Sequence, residues 1–439
     1  MATTLISGAT VVDPARNLNA RADILIADGK IVCLNDGSAP CGQQMEAELA
    51  ARPECVRVDA AGKTVTPGLI DMHVHFREPG MEAEETIASG AAAAVAGGFT
   101  SVVCMPNTEP AMDSEAHMNF VLREAKAHGL AEVYPAGAIT VGRQGEALAE
   151  MGNMARGGAV AFSDDGKAVP SAAVLRQALS YAKMLDLPVL EHCEEPTLAA
   201  GGVMNESYVS TVLGLPGIPA EAEEIIVSRD VHLAKLTGAR LHIQHVSTRG
   251  SIAIVRRARA AGLRVSAEVT PHHLTLNEEN LRSYDQVYKV NPPLRGQDDV
   301  DACVAALADG TLEVIASDHA PHLREEKEME MAQAPFGLLG LETSFSVVYT
   351  ELVRTGKVPL ATVVRAMTAA PARVLGLPRG TLAPGAAANL TVWDLEREWM
   401  VDPAKFRSKS VNCPWNGRRL FARPVAVYVQ GEDVLARLP

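Results

Sequence analysis

Two histidines near residue 70 have the spacing of metal ligands. His73 and His75 are two residues apart at the end of an apolar run. On a β-strand this spacing points both imidazoles to the same face. Two imidazoles at one strand end make half of a metal site. Because exposed or capped histidines can have the same spacing, the pair indicates a metal only if further ligands accompany it.

Three later apolar runs also end in a residue that can bind metal, namely His192, His245 and Asp318. In the second run, a period of two places His242 on the face opposite His245. A single buried histidine is more often structural than a ligand, but four such strand ends in one chain favour a metal centre. Four histidines and one aspartate exceed what one tetrahedral zinc requires. The count therefore predicts two metals and an anion that bridges them.

Candidates for the bridging anion follow another apolar run at 160–162. Asp164 and Asp165 come directly after it, and either carboxylate could span two cations. Sequence periodicity does not choose between them. Lys167 raises the alternative of a carboxylated lysine, but it lies beyond the turn at Gly166, where we expect a solvated surface lysine.

The elements that must position these residues alternate between strand and helix over about 310 residues. Such alternation predicts a parallel sheet, and eight units predict a (β/α)8 TIM-type barrel of the α/β class. In such barrels the active site lies at the carboxyl ends of the strands. Candidate strands are 69–70, 101–105, 132–134, 160–162, 188–190, 240–244, 264–267 and 312–316. Helical periodicity occurs at 113–127, 171–185, 221–237, 250–261, 298–308, 339–355 and 359–370.

Both ends of the chain have β-like sequence instead. Asp28-Gly29 lies between two apolar runs and predicts a hairpin with a type I′ turn. Residues 35–55 suggest a loop or a short excursion, and β-like runs return after residue 377. We therefore predict one small β-sandwich domain built from residues 1–66 and 378–439, beside a barrel over 67–377.

Composition excludes several classes of function. The formal net charge is −13, which argues against a nucleic-acid partner because such proteins need a basic surface. Seven cysteines without a C-x-x-C pair indicate reduced thiols. The first residues do not resemble a secretory signal. The uncharged stretch between Glu85 and Glu109 is better explained by a helix and a buried strand than by a membrane span. We expect a cytoplasmic protein with no membrane partner.

Two motifs are specific enough to suggest a family. Residues 71–80, DMHVHFREPG, and 316–327, ASDHAPHLREEK, resemble the two signatures of dihydroorotase, in the amidohydrolase superfamily. The resemblance covers nearly the whole chain and includes segments 105–108, 162–166, 191–193 and 290–294. Segment 35–55 is longer than we expect of this family.

The resemblance implies two zinc ions per subunit and a ligand for each position. Asp-Asp-Gly at 164–166, where hydantoinases and allantoinases have a carboxylated lysine, resembles the class I bacterial type of dihydroorotase. By this resemblance Asp165 is the bridge. The expected ligands of one zinc are His73, His75 and Asp318, and those of the other are His192 and His245.

The resemblance also implies the reaction, the reversible cyclisation of N-carbamoyl-L-aspartate to (S)-dihydroorotate and water in de novo pyrimidine (UMP) biosynthesis. A hydroxide that bridges the zincs would attack the ring amide, and Asp318 would be the catalytic proton shuttle. Arg77 can bind the substrate carboxylate with its planar fork of N–H groups. The positions that match substrate-binding residues of the family are His75, Arg77, Asn107, Asn291, His322, Phe336 and Gly337.

Two alternatives remain at this point. A hydantoinase or allantoinase would share the metals but is expected to have a carboxylated lysine in place of Asp165 and another group in place of Arg77. A non-catalytic scaffold for aspartate transcarbamoylase would be expected to lose ligands, whereas this chain has all six. A homodimer is the expectation from the family, and an active association with aspartate transcarbamoylase stays open.

Overall fold

Two large β-sheets organise the chain in the computed structural model, which describes residues 3–438. The strands are β1 Thr4–Asp13, β2 Leu18–Ala27, β3 Lys30–Asn35, β4 Val56–Asp59, β5 Thr64–Pro67, β6 Leu69–Val74, β7 Phe99–Cys104, β8 Glu132–Gly137, β9 Ala161–Phe162, β10 Val189–Glu191, β11 Met204–Asn205, β12 Gly217–Ile218, β13 Leu241–Ile243, β14 Val265–Val269, β15 Val314–Ile315, β16 Leu390–Met400, β17 Arg419–Val429 and β18 Glu432–Asp433.

Apart from the first helix, which packs on the other sheet, most helices connect the strands of one sheet and cover its outside. The helices are α1 Ala39–Ala50, α2 Ile87–Ala96, α3 Glu115–His128, α4 Met151–Arg156, α5 Ala172–Met184, α6 Pro196–Ala199, α7 Tyr208–Leu213, α8 Ala220–Thr237, α9 Arg249–Ala260, α10 Pro271–Thr275, α11 Gln297–Asp309, α12 Arg324–Lys327, α13 Ser344–Val348, α14 Leu360–Ala366 and α15 Ala369–Leu375. The predicted helix over 339–355 is shorter than expected, because α13 begins only at Ser344; it continues as a π-helical turn over Tyr349–Val353.

The parallel sheet forms a barrel. Its eight strands follow the order β15-β14-β13-β10-β9-β8-β7-β6, and each corresponds to one predicted strand. A parallel bridge between Val74 and His319 joins the two ends of this sheet, and the amide of His75 donates to the carbonyl of His319 over 2.9 Å. The prediction of a (β/α)8 barrel is confirmed.

Apolar side chains fill the barrel interior. One buried cluster takes Met72, Val103, Leu190 and Val314 from four strands and includes Val374 of α15. A second, larger cluster packs the outer face of the strands against the helices. Since the interior is a packed core and not a pore, polar side chains can gather only where the strands end.

The stretch between Glu85 and Glu109 forms α2 and then β7, as predicted. Thr86 and Ser89 make a reciprocal capping box that begins α2. A Cβ atom on Gly90 would lie 2.4 Å from the Phe76 ring, so glycine allows the helix to approach the segment that precedes Arg77. No helix within residues 3–438 is long and apolar enough to cross a membrane.

The second sheet combines both ends of the chain. It has eight strands in the order β18-β17-β16-β5-β1-β2-β3, with β4 paired to β1. Asp28 and Gly29 both have positive φ, at 51° and 74°, and join β2 to β3 as the predicted hairpin. A Cβ atom on Gly431, after β17, would lie 3.2 Å from Gly29, so the two edges of this one continuous sheet approach each other.

The domain limits at residues 66/67 and 377/378 stay a prediction, and residues 1, 2 and 439 lie outside the described part of the chain. Segment 35–55 differs from the expected loop because 39–50 forms α1. Most of its residues are Ala, Gln, Glu, Met and Leu, which favour helix. Met45 of α1 packs on Leu5, Leu25 and Cys33, so the helix covers one face of the terminal sheet.

Trp393 of β16 joins the terminal sheet to the barrel. It is fully buried, its Nε1 donates to Thr66 Oγ1 over 3.0 Å, and its ring stacks on Phe345 of α13 with centroids 4.0 Å apart. Trp399, on the same strand, is only partly buried. We expect Trp393→Ala to lower the free energy of unfolding by about 3–5 kcal/mol, as measured by denaturant titration. Trp399→Ala is the matched control and should cost less; equal losses would contradict this role for Trp393.

Candidate active site

Six buried side chains meet at the carboxyl ends of the barrel strands. The pairing of β6 with β7 shifts register between Asp71 and Val74, so Met72 packs in the barrel interior and Val74 in the outer core. His73 and His75, on either side of Val74, both contact Asp165. The others lie just past β9, β10, β13 and β15, and the complete set is His73, His75, Asp165, His192, His245 and Asp318.

Asp165 lies at the centre of this group. Its Oδ1 is 3.3 Å from Nε2 of His73, 3.7 Å from Nδ1 of His192 and 3.8 Å from Nε2 of His245. Its Oδ2 is 3.4 Å from Nε2 of His75. One carboxylate therefore reaches all four imidazoles, three through Oδ1 and one through Oδ2.

Asp164, the other candidate bridge, turns away from the site. Its carboxylate accepts hydrogen bonds from the amides of Ile139 and Thr140, at 2.9 and 3.1 Å, and from the Thr140 hydroxyl. The side chain of Lys167 is exposed. Of the three groups left open by the sequence, only Asp165 lies among the histidines.

Asp318 completes the group from β15. Its Oδ1 is 3.0 Å from Nε2 of His75 and 3.6 Å from Nε2 of His73. The backbone at Asp318 has φ of 49°, in the left-handed region that non-glycine residues seldom adopt. Such conformations cost about 1–3 kcal/mol and concentrate at functional sites.

A similar turn brings His245 into the site. Leu241 and Ile243 pack in the outer core, so a continued strand would point His245 the same way. The strand ends at Ile243, and φ of 30° at His245 redirects the imidazole toward Asp165. Strand periodicity alone does not predict this direction.

Both carboxylates are held in their ionised form. Burial disfavours the charge, but the nearby His73 outweighs it and keeps the pKa of Asp165 and of Asp318 below the usual range. Burial and the charges of His192 and His73 lower the pKa of His245 to about 3. Although burial opposes it, Asp165 raises the pKa of His73 and of His192. Metal ions bind ionised carboxylates and neutral imidazoles, so a bound metal would displace the protons of these two rings.

The donor set fits a metal centre. Within residues 3–438, three groups of three side chains have all their donor atoms within 4.8 Å of one another, and two of these groups share Asp165. These two groups are His73, His75 and Asp165, and Asp165, His192 and His245; the third group, which does not include Asp165, is Glu84, His322 and Glu326. The buried Oδ1 of Asp165 has no hydrogen-bond partner among these residues. A carboxylate oxygen of this kind is costly unless a cation compensates it.

The predicted substrate-binding residues line one cavity with the metal ligands. Its volume is about 240 Å³, and it opens beside His75, Asp165, His192, His245 and Asp318. The remaining lining includes Arg77, Asn107, Asn291, His322, Phe336 and Gly337. The buried Oδ1 of Asn291 has no hydrogen-bond partner within the described residues, so it is free to accept one from a ligand.

Comparison with known proteins agrees with this geometry. Residues 62–251 match the family described as Dihydro-orotase-like, and 236–434 match the Amidohydrolase family. A dihydroorotase of Pelotomaculum thermopropionicum is 53% identical over 98% of both chains. The chain belongs to the dihydroorotase family. A dihydroorotase of Citrifermentans bemidjiense is 48% identical over 98% of this chain and 99% of its own.

Solved structures with the same fold include hydantoinases. The L-hydantoinase of Arthrobacter aurescens has a TM-score of 0.84 and 26% identity, over 99% of this chain and 96% of its own. A D-hydantoinase has a TM-score of 0.81 at 22% identity, over 99% of this chain and 95% of its own, and so shares the fold. The dihydroorotase-family chain and these enzymes have one architecture in common.

Glu268 of β14 is a member of this site that sequence reasoning missed. Its Oε1 lies 2.6 Å from Nδ1 of His73, and its Oε2 lies 3.0 Å from Nε2 of His242. Although burial opposes ionisation, the charge of His73 lowers the pKa of Glu268 to about 2. The carboxylate thus holds His73 with Nε2 directed at Asp165. Its position near the end of a predicted strand was the available signal.

Replacement of Glu268 should weaken metal binding and not merely lower the stability of the fold. We expect Glu268→Gln to lower metal affinity by about 10–100-fold, the usual effect of losing such an outer partner, and excess metal should restore activity. The measurement is metal content and activity during titration of the metal-free protein. Glu313→Gln, at the amino end of β15, is the control and should titrate like the wild type. If both variants do so, Glu268 does not support the site.

Proposed function

We propose that this dihydroorotase-family chain interconverts N-carbamoyl-L-aspartate and (S)-dihydroorotate in de novo pyrimidine biosynthesis. One observation carries the proposal: the shared carboxylate of Asp165 and the guanidinium of Arg77 line the same small cavity. Dihydroorotate presents a cyclic amide and one carboxylate, which need a hydrolytic centre and a cation. In a protein of net charge −13, a local positive group is required to bind an anion.

The metal centre in this proposal holds two zinc ions. Histidine and aspartate suit zinc, and the six ligands exceed one tetrahedral site. When bound, the ions supply a Lewis acid and lower the pKa of a water molecule toward neutrality. Because Asp165 is itself a carboxylate, the bridge requires no carboxylated lysine. We propose the ligands to be His73, His75 and Asp318 for one ion and His192 and His245 for the other, with Asp165 shared.

Asp318 is the group we propose to move the proton. Ring opening breaks the bond between the amide carbon and ring nitrogen as water adds to that carbon. The ionised Asp318 takes a proton from the attacking water and delivers it to the departing nitrogen. In ring closure the same carboxyl begins protonated and returns the proton. Its position 3.0 Å from His75 and its exposure to the cavity support this role.

Polar side chains around the cavity orient the substrate in our proposal. Arg77 and His322 lie side by side, with 3.3 Å between Nη2 and Nε2, and bind the carboxylate together with Asn107. Asn107 Oδ1 is 2.8 Å from Nδ1 of His75, which fixes the direction of its amide. Asn291 and the backbone at Phe336-Gly337 contact the ring.

Hydantoinase activity is the alternative function, because hydantoinases share this fold. The exposed side chain of Lys167 and the buried Arg77 favour a carboxylate-bearing substrate over hydantoin. The deciding experiment is ring closure of N-carbamoyl-L-aspartate by the purified, zinc-loaded protein, compared with hydrolysis of hydantoin and allantoin. We expect closure with a kcat/KM at least about 100-fold above either hydrolysis, since an unpaired binding group commonly costs that much. Preference for hydantoin or allantoin would overturn the proposal.

The family resemblance supports three further proposals. The chain forms a homodimer, it is open to association with aspartate transcarbamoylase, and it works in the cytoplasm. Light scattering of the protein alone and with added transcarbamoylase measures the first two.

The proposed proton shuttle predicts how pH acts on the two directions. Ring opening creates a second carboxylate and releases a proton, so rising pH favours the open form. Burial opposes the charge on Asp318, but His73 and His75 keep its pKa below the usual range. The protonated fraction needed for closure therefore falls as pH rises. Asp318 is already ionised for hydrolysis over this range, so a rise in that rate depends on deprotonation of the water that the zinc ions would activate. In wild type we expect the closure rate to fall and the hydrolysis rate to rise between about pH 6 and 9.

Asp318→Asn should lower both rates by about 10²–10⁴-fold, because the amide cannot carry the proton. Its oxygen still offers a metal ligand, so metal content is measured in each sample alongside the rates. Parallel pH profiles in the wild type, or a metal-loaded variant with most of its activity, would remove Asp318 from this role.

A further inference from the structure

Glu84 lies behind the two residues that we propose to bind the substrate carboxylate. Its Oε2 is 3.2 Å from Nε of Arg77 and 3.4 Å from Nδ1 of His322. Arg77 and His322 line the cavity, whereas Glu84 does not. Glu84 therefore has contact with both binding residues from the side away from the substrate.

The hydrogen bonds of Arg77 show what this contact does. Nε donates to the carbonyl of Pro321 over 3.1 Å, so the Glu84 carboxylate meets the guanidinium as an ion pair. Nη2 lies 3.3 Å from Nε2 of His322. The Nε edge is thus occupied from behind, and Nη2 lies beside His322 in the residue pair that lines the cavity. A guanidinium held in this way can present a planar fork to one carboxylate.

His322 is held on two sides. Its Nε2 lies 2.8 Å from the carbonyl of Phe336, to which it donates, and its Nδ1 faces Glu84. The backbone at Glu84 is itself fixed, because its amide donates to Met81 and its carbonyl accepts from the Ser410 hydroxyl over 2.9 Å. These two hydrogen bonds hold the backbone of Glu84 in place, so that its carboxylate can orient Arg77 beside His322.

The oxygen that makes these contacts has no other support. Oε2 of Glu84 is buried and has no hydrogen-bond partner within the described residues. Glu84 is 8% exposed, and the cations around its carboxylate come from Arg77 and, when protonated, His322. A buried carboxylate is retained at a cost unless charged partners compensate it. Its carboxylate also repels an anionic substrate, so a role in affinity alone would not explain it.

We propose that Glu84 is a positioning residue that aligns Arg77, beside His322, for the carboxylate of the substrate. The inference rests on the proposed function and extends it to the source of specificity for a carboxylate-bearing ring. Glu84 acts through Arg77, so its effect must disappear when Arg77 can no longer bind the carboxylate.

A double-mutant cycle tests this dependence. The variants are Glu84→Gln, Arg77→Met and the double variant, each loaded with zinc, with KM and kcat for dihydroorotate measured and metal content checked. We expect Glu84→Gln alone to raise KM about tenfold and to change kcat less. In the Arg77→Met background the same substitution should change KM less than about twofold. Glu82→Gln, an exposed glutamate two residues earlier in the loop, should leave KM unchanged.

A purely structural role would give a different pattern. It would lower stability and active fraction without a selective rise in KM, and would do so equally in both backgrounds. Either that pattern, or a KM within twofold of wild type for Glu84→Gln, would overturn the inference. If Glu84→Gln does not fold, Glu84→Asp retains the charge and withdraws the carboxylate by one methylene, and the same rise in KM is expected. A wild type that does not process dihydroorotate would instead refute the proposed function.

Discussion

The buried carboxylate of Asp165 is the constraint around which the site is arranged. A carboxylate removed from water must be compensated by nearby positive charge. Here four imidazole nitrogens lie within 3.8 Å of its two oxygens. They come from three different strands, so the charge requirement of one side chain ties together distant parts of the chain. Apolar side chains fill the barrel interior below, so Asp165 and the histidines stay at the strand ends.

Meeting this constraint requires unusual backbone at the strand ends. Arg77, His245 and Asp318 all have positive φ, at 62°, 30° and 49°, although none is glycine. The cost of these conformations must be offset by the surrounding fold. The contact of Phe76 with Gly90 is one such support. The close approach of α2 fixes the short segment between the end of β6 and Arg77. The barrel and the strained residues at its strand ends therefore depend on each other. The stable barrel holds these side chains in directions that a regular strand would not give.

The sequence predicts the scaffold and the ligand types better than it predicts their partners. All eight barrel strands could be located because each is an apolar run bounded by helical or turn sequence. The choice between Asp164 and Asp165 could not be made, because β9 is only two residues long and its periodicity ends before them. Helix α1 was missed since its apolar pattern is weak and its packing on the terminal sheet is a tertiary contact. Glu268 and Glu84 were missed for the same reason: a carboxylate acquires its role from partners 195 and 238 positions away in the chain, His73 for the first and His322 for the second.

Charge distribution explains why an acidic protein can bind an acidic substrate. The cavity that Asp165 and Asp318 line also has Arg77, whose guanidinium is buried and carries its charge close to the reacting centre. Burial strengthens the attraction between this cation and a carboxylate, because the effective dielectric constant is lower than in water. Burial equally strengthens the attraction of Arg77 to Glu84, so Glu84 weakens the net attraction between Arg77 and the substrate carboxylate. What remains is direction: an arginine fixed from behind binds a carboxylate at one place and one angle, and a ring anchored there presents the same amide to the metal centre each time. Because the carboxylate is bound alike in the ground state and in the transition state, loss of this alignment should raise KM more than it lowers kcat.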